Sequence, residues 1–375
     1  MKFLKSAIFV LILTSCTGRV GRLDVDAAAV CDTLEYATGF QIERHDGYTA
    51  VKLRDPWDTL RQRQCYLLVD REKPVPENLP SGTVIKVPVK NVVVYTSVHA
   101  ALLKQIGCLD RICGICEPQY LTDGEIRALV ENGEIQDLGQ STSPNVEKIM
   151  DSRTELIIAT PFENSSYGAA EKLGIPIIEA SDYMENHPLG RTEWVRFFSL
   201  LFDREAAGDS IFLATVNNYM RLKALAASAS ERPTVLLERK YGSTWFVPSG
   251  KSYIGTLHKD AGARYLFADR QDAGNAPLSF ETVFDTAVNA DFWLFKYDAK
   301  HRFTYKELKE EYPPYAEFDA FKKKMIFACN TVSTSYYDDI TLHPDLILED
   351  LVAVYHPELL PEHIFRYYHP LLLNE

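Results

Sequence analysis

Residues 204–227 read REAAGDSIFLATVNNYMRLKALAA, an uninterrupted stretch without proline. Ala207, Ile211, Ala214, Tyr219, Leu222 and Leu225 recur at near-helical intervals, which predicts one continuous amphipathic helix. At 1.5 Å per residue it makes a rod of about 36 Å, roughly the width of a domain. Ser228 to Pro233 then breaks the pattern. A rod of that length near the middle of the chain points to a connector between two folded units.

Both flanks alternate short apolar runs with helical stretches. Before the rod, Asn91 to Tyr95 is a Val-rich strand, and Ser97 to Ile106 has helical spacing and stops at Gly107. Ile112 to Cys116, Glu155 to Ala159 and Ile175 to Glu179 are further expected strands, with Val146 to Met150 and Gly168 to Leu173 as helices. After it come Thr234 to Glu238, Tyr265 to Phe267, Asp291 to Tyr297 and Met325 to Cys329 as strands. Ser249 to Lys259, Ser279 to Val288 and Pro344 to Val354 read as helices. The alternation predicts an α/β protein of two Rossmann-like lobes, 91–203 and 229–375, joined by the helix 204–228. Residues 17–90 are less regular, with strands expected at Phe40 to Ile42, Tyr48 to Leu53 and Cys65 to Val69. They read as an extension packed on the first lobe. A weak internal echo links the lobes: Asn145 to Met150 precedes Glu155 to Ile158, and Phe280 to Phe284 precedes Asp291 to Leu294. In each a helix with Glu near its start leads into an apolar strand.

With 375 residues the chain has room for two domains, and its 46% hydrophobic content argues against disorder. A net charge of -12 argues against binding nucleic acid, which needs clustered Lys and Arg. The first residues carry an address. Lys2 and Lys5 precede an apolar run from Ala7 to Leu13, too short to span a bilayer, and Leu13-Thr14-Ser15-Cys16 resembles a lipobox. This predicts a signal peptide over 1–16, lipid attachment at Cys16 and a membrane anchor, with the mature chain in the periplasm. The other cysteines are Cys31, Cys65, Cys108, Cys113, Cys116 and Cys329, whose pairing the spacing leaves open.

No local motif for chemistry survives inspection. Cys108, Cys113 and Cys116 lack a fourth metal ligand at matching spacing. Pro248-Ser249-Gly250-Lys251-Ser252 ends like a phosphate loop, but Trp245 occupies the position of its first glycine. Four late histidines, His343, His356, His363 and His369, suit a folded tail better than a coordination sphere. No enzyme activity, catalytic residue, metal site or resident cofactor is expected.

Several segments, in order, carry a family likeness: Ser97 to Gly107 followed by Asp110-Arg111-Ile112, Pro144 to Ile149, Lys172 to Ile178, His187-Pro188-Leu189-Gly190-Arg191-Thr192-Glu193-Trp194 and His343 to Leu351. From Asn91 to Val354 the chain resembles the periplasmic binding proteins joined by one long rigid helix, which serve ABC importers of ferric siderophores, haem and cobalamin. The resemblance implies a monomer that captures an iron chelate, or a corrinoid or tetrapyrrole, and hands it to an ABC permease and its ATPase. It also implies permease docking through one acidic residue per lobe, here Glu147 and Glu281. A connector of this kind implies only modest opening between the lobes.

Ligand would lie between the lobes, where small-molecule clefts usually form. The expected contacts on the first lobe are Tyr95, Ser97, His99, Glu117, Ser141, Phe162 and Tyr167. On the second they are Tyr241, Trp245, Phe246, Tyr253, Tyr297, Asn330, Tyr336 and Tyr337, with Trp245-Phe246 as the leading pair. Aromatic rings suit a large flat or catecholate-bearing ligand. Relatives with the His-Pro-Leu-Gly stretch tend to carry Asn-Asp before an aromatic pair and an acid; here Thr334-Ser335 stands in its place before Tyr336-Tyr337-Asp338. A lipoprotein hydrolase or a structural surface protein on the same scaffold is the reading from a different class.

Overall fold

The computed structural model describes residues 30–58, 60–164, 166–270 and 274–373. The leader and Cys16 lie outside them. Two α/β lobes are joined by one long helix, Glu205–Ala227. Its buried positions are Gly208, Phe212, Thr215, Tyr219, Leu222 and Ala226, a strict alternation of four and three. Only Tyr219 and Leu222 were among the apolar positions expected to form the stripe; Ala214 is exposed, and Ala207, Ile211 and Leu225 are half-buried. The stripe packs between the helices Pro188–Leu200 and Pro344–Tyr355. Gly208 allows a close crossing, since a Cβ there would lie 2.6 Å from the Ser199 hydroxyl. Thr215 is buried because its hydroxyl donates to the Leu342 carbonyl, 2.9 Å away.

The first lobe holds a parallel sheet in the order Ile177–Glu179, Leu156–Ala159, Val92–Val94, Ile112–Ile115, Gln136–Asp137. The second is ordered Arg264–Tyr265, Thr234–Leu237, Phe292–Tyr297, Ile326–Asn330, Tyr368–Pro370, with only the last strand antiparallel. In both sheets the first strand in sequence lies inside, and the strand order reverses beside it. That reversal leaves a crevice at the carboxyl ends of the strands. Strands buried on both faces read as continuous apolar runs, as in Val92–Val94 and Leu156–Ala159.

Residues 30–87 form a separate five-stranded sheet. Phe40, Ile42, Val51, Leu53, Tyr66 and Leu68 from it share one core with Val92, Val94, Trp194 and Phe197 of the first lobe. The segment between its first two strands, Val30–Cys31 and Phe40–His45, is pinned by two carboxylates. Glu193, fully buried, accepts from the amides of Glu35, Tyr36 and Ala37 at 2.8 to 3.1 Å. Glu185 accepts from the amides of Thr38 and Gly39 and from the Trp194 indole at 2.8 to 3.1 Å.

A three-stranded sheet, Lys240–Tyr241, Thr244–Pro248 and Asn275–Leu278, was not foreseen. The Ser-Gly-Lys-Ser turn after it is structural. A Cβ on Gly250 would lie 1.9 Å from the Ala268 carbonyl oxygen, and Ser252 caps the helix Tyr253–Asp260. The six cysteines described are free thiols. Burial pushes the Cys116 thiol up to about 12, so it is inert at neutral pH.

Candidate functional site

A cleft of about 530 Å³ lies between the lobes at the carboxyl ends of both sheets. Thr96, Ser97 and Val98 enter it from the turn that follows Val92–Val94, where Thr96 caps the helix Ser97–Gln105. Glu117, with a left-handed φ of 55°, follows the strand Ile112–Ile115. Its carboxylate accepts from the Ser141 amide at 3.2 Å and hydroxyl at 2.8 Å. Opposite, Arg239 follows Thr234–Leu237, Lys296 and Tyr297 end the strand Phe292–Tyr297, and Thr331 and Val332 follow Ile326–Asn330. Tyr120 and Tyr337 add half-exposed rings from the two sides.

The walls are rich in donors. Arg239 pairs with Glu311 behind the wall through Nη1 and lies over the Phe295 and Phe303 rings at 5.7 and 5.6 Å. Arg127 donates one Nη2 bond to the Leu121 carbonyl. A guanidinium has five N–H groups, so each keeps donors for a guest. Lys296 pairs with Glu238. Burial alone would lower this ammonium, but Glu238 outweighs it and raises it, so Lys296 stays charged.

The cleft brings together Ser97, Glu117, Tyr297 and Tyr337 of the expected contacts, with Ser141 behind Glu117. The others lie elsewhere. Trp245 is fully buried in the second-lobe core, so the leading ring expected to touch ligand is a packing residue. Strand alternation turns its neighbour Phe246, 41% exposed, to the other face of the small sheet. Tyr241, 83% exposed, sits on the same hairpin, and neither ring lines the cleft. Tyr95 and Tyr336 are core residues. Tyr253 is buried with its hydroxyl on the Ile340 carbonyl at 2.9 Å. Tyr167 packs edge-on against Tyr95, and Phe162 is exposed beside Tyr183. Asn330 is buried, where it ties the Ala299 and His301 carbonyls to the loop after its strand. His99 is buried between Thr96 Oγ1 at 2.9 Å and Asp182 at 3.1 Å, which removes it from any guest.

Arg127, Arg239, Lys296 and Tyr120 escaped the sequence reading. The available signal was position for two of them, because Arg239 follows and Lys296 ends a strand that stops at the cleft edge; Arg127 lies in the middle of the helix Gly124–Glu131.

Glu147 and Glu281 occupy matching places. Each is exposed in the first turn of a helix, Val146–Asp151 or Phe280–Ala287. Asn145 and Ser279 cap these helices by accepting the amides of Lys148 and Thr282. Each helix leads into the strand next to the first strand of its sheet. Backbone and Ser279 hydrogen bonds hold the Glu281 carboxyl below its ordinary value, so it is an anion at neutral pH.

The two lobes also touch directly. The Thr192 hydroxyl donates to the Thr341 carbonyl at 2.8 Å, Gln105 and His343 lie 2.6 Å apart, and Leu342 is buried in the first-lobe core.

Comparison with known proteins places this geometry. The profile of the periplasmic binding protein family matches residues 92–332. An uncharacterized lipoprotein of Methanocaldococcus jannaschii is 28% identical over 78% of this chain and 72% of its own length. A possible iron-binding, periplasmic solute-binding protein from Staphylococcus epidermidis superposes with a TM-score of 0.58 at 15% identity, covering 72% of this chain and 99% of the other. A periplasmic vitamin B12 binding protein of Vibrio cholerae superposes with a TM-score of 0.53 at 15% identity, covering 74% and 99%.

Proposed function

The chain belongs to the periplasmic binding protein family, and from that premise we propose that it is the substrate-binding component of an ABC importer for an iron(III) chelate. The observation that carries the ligand class is the inter-lobe cleft, which Arg127, Arg239 and Lys296 line together with the exposed rings of Tyr120 and Tyr337. Spare guanidinium donors and a held ammonium suit a guest rich in anionic oxygens, and the rings suit flat catecholate or aryl groups. A corrinoid offers fewer anionic oxygens to this wall, and a haem would present only its propionates. No covalent chemistry is needed for this role, which is binding and release.

Under this reading Cys16 carries a lipid that holds the protein at the membrane, in keeping with the lipoprotein name of its archaeal relative. Glu147 and Glu281 meet basic sockets on the permease, one per lobe, and so fix the docking orientation. The ligand is tested by purifying the mature chain from its native host and recording the mass and absorption of any bound chromophore. A ferric chelate spectrum supports the reading; a corrin or haem spectrum overturns the ligand class. Arg239→Glu is expected to weaken ferric-chelate binding by about tenfold or more, read by fluorescence quenching. The paired Glu147→Arg and Glu281→Arg variants should abolish uptake while chelate affinity stays within about twofold of wild type. Equal loss of both would sink the docking assignment.

A further inference from the structure

A second cavity, of about 200 Å³, lies in the second lobe on the far side of Tyr297 from the cleft. Arg302, Arg366 and His369 line it with the hydroxyl-bearing Ser333 and Thr334, and no carboxylate does. Arg302 spends one Nη2 bond on the Pro370 carbonyl at 3.2 Å, and neither arginine has an ion-pair partner among the described residues. That contrasts with Arg44, Arg63, Arg71, Arg191, Arg196 and Arg239, each of which meets an acid. Asp350 is buried under the adjacent backbone, but its oxygens are occupied by the amides of Arg366, Tyr367 and Tyr368 and by His363. Its acceptor capacity is therefore committed to the fold, while its charge still acts on His369 and partly offsets the effect of Arg302 there.

From this arrangement we infer that the cavity is a binding site for a small multi-oxygen anion, of the phosphate or dicarboxylate kind, held by the Arg302 and Arg366 guanidinium groups, with a further donor in the Ser333 hydroxyl, whose bond to the Asn330 carbonyl is long at 3.5 Å. Burial and the neighbouring Arg302 lower the His369 imidazole, so at neutral pH it is an uncharged hydrogen-bonding partner and becomes a third cation only on acidification. The site shares parts with the inter-lobe cleft. Tyr297 lines both cavities, and one loop points Thr331 and Val332 into the cleft and Ser333 and Thr334 into the pocket. An anion that braces this loop would stiffen one wall of the cleft. The inference stands whichever ligand the cleft takes.

Calorimetric titration of the mature chain with inorganic phosphate and, separately, with malonate at low ionic strength tests it. One saturable site is expected for at least one of these anions, weakened about tenfold or more by Arg302→Gln combined with Arg366→Gln, and retained in Arg239→Glu, which removes an anion donor of the cleft. Ser333 is exposed, so Ser333→Glu brings a carboxylate to the pocket without disturbing the core. It should abolish binding even where the double variant is unstable. Failure of both anions to bind by about 10 mM, or binding that survives Ser333→Glu, overturns the inference.

Discussion

Trp245→Ala is expected to lower the free energy of unfolding by about 3–5 kcal/mol, seen as a fall in the urea midpoint at unchanged slope. The indole is fully buried and lies 5.7 Å from both the Trp293 and Tyr315 rings and 5.9 Å from Phe318. Its Nε1 donates to the Leu237 carbonyl at 3.0 Å, which ties the small sheet to the first strand of the lobe. Alanine would remove the ring, leave a cavity among residues that cannot all close around it, and orphan that carbonyl. Phe246→Ala, one residue along, should cost less than about 1 kcal/mol because that ring faces out. A stable Trp245→Ala protein that had lost ligand would return the indole to the binding site.

The second large effect is expected at Asp182. Its carboxylate is buried between Arg191 Nε at 2.9 Å and His99 Nε2 at 3.1 Å. Asp182→Ala leaves the largely buried Arg191 guanidinium, 11% exposed, without its counter-charge, which costs about 3 kcal/mol. Burial pushes this carboxyl up, but Arg191 and His99 outweigh burial and hold it below its ordinary value. The sign follows from linkage: a depressed folded value gives stability that is present above the unfolded value near 3.9 and is lost as pH falls through the folded one. The gap in stability between wild type and Asp182→Asn should therefore be full at neutral pH and shrink below about pH 4. A gap that held constant from pH 7 to pH 3 would mean that the charge is not what matters.

Much of the scaffold could be read from the chain because buried parallel strands are written as plain apolar runs. Val92–Val94 and Leu156–Ala159 need no context to be recognised. The connecting helix was equally plain in length but not in facing. Gly208 and Thr215 are buried for close approach and for a hydrogen bond, neither of which hydrophobicity reports. The Trp245-Phe246 pair failed for a related reason. Two adjacent rings read as a ligand platform when taken for a loop, whereas in a strand one must point inward and the other outward. Of the residues expected at the site, Ser97, Glu117 and Tyr297 line the cleft because they follow or end strands legible as apolar runs, while Tyr337 reaches it from the helix Tyr336–Asp339. Arg239 and Lys296 follow or end recognised strands too, but a charge at a strand end becomes a wall residue only once the strand order places that end on the crevice.

The carboxylates of Glu185 and Glu193 have a mechanical consequence. They grip the backbone at Glu35 to Gly39, so a pull on this segment is shared between the pairing of Val30–Cys31 with Glu43 and Arg44 and the helix Pro188–Leu200, and does not pass to the loops that line the cleft. Two buried acids thus act as a cleat where the chain enters the first lobe.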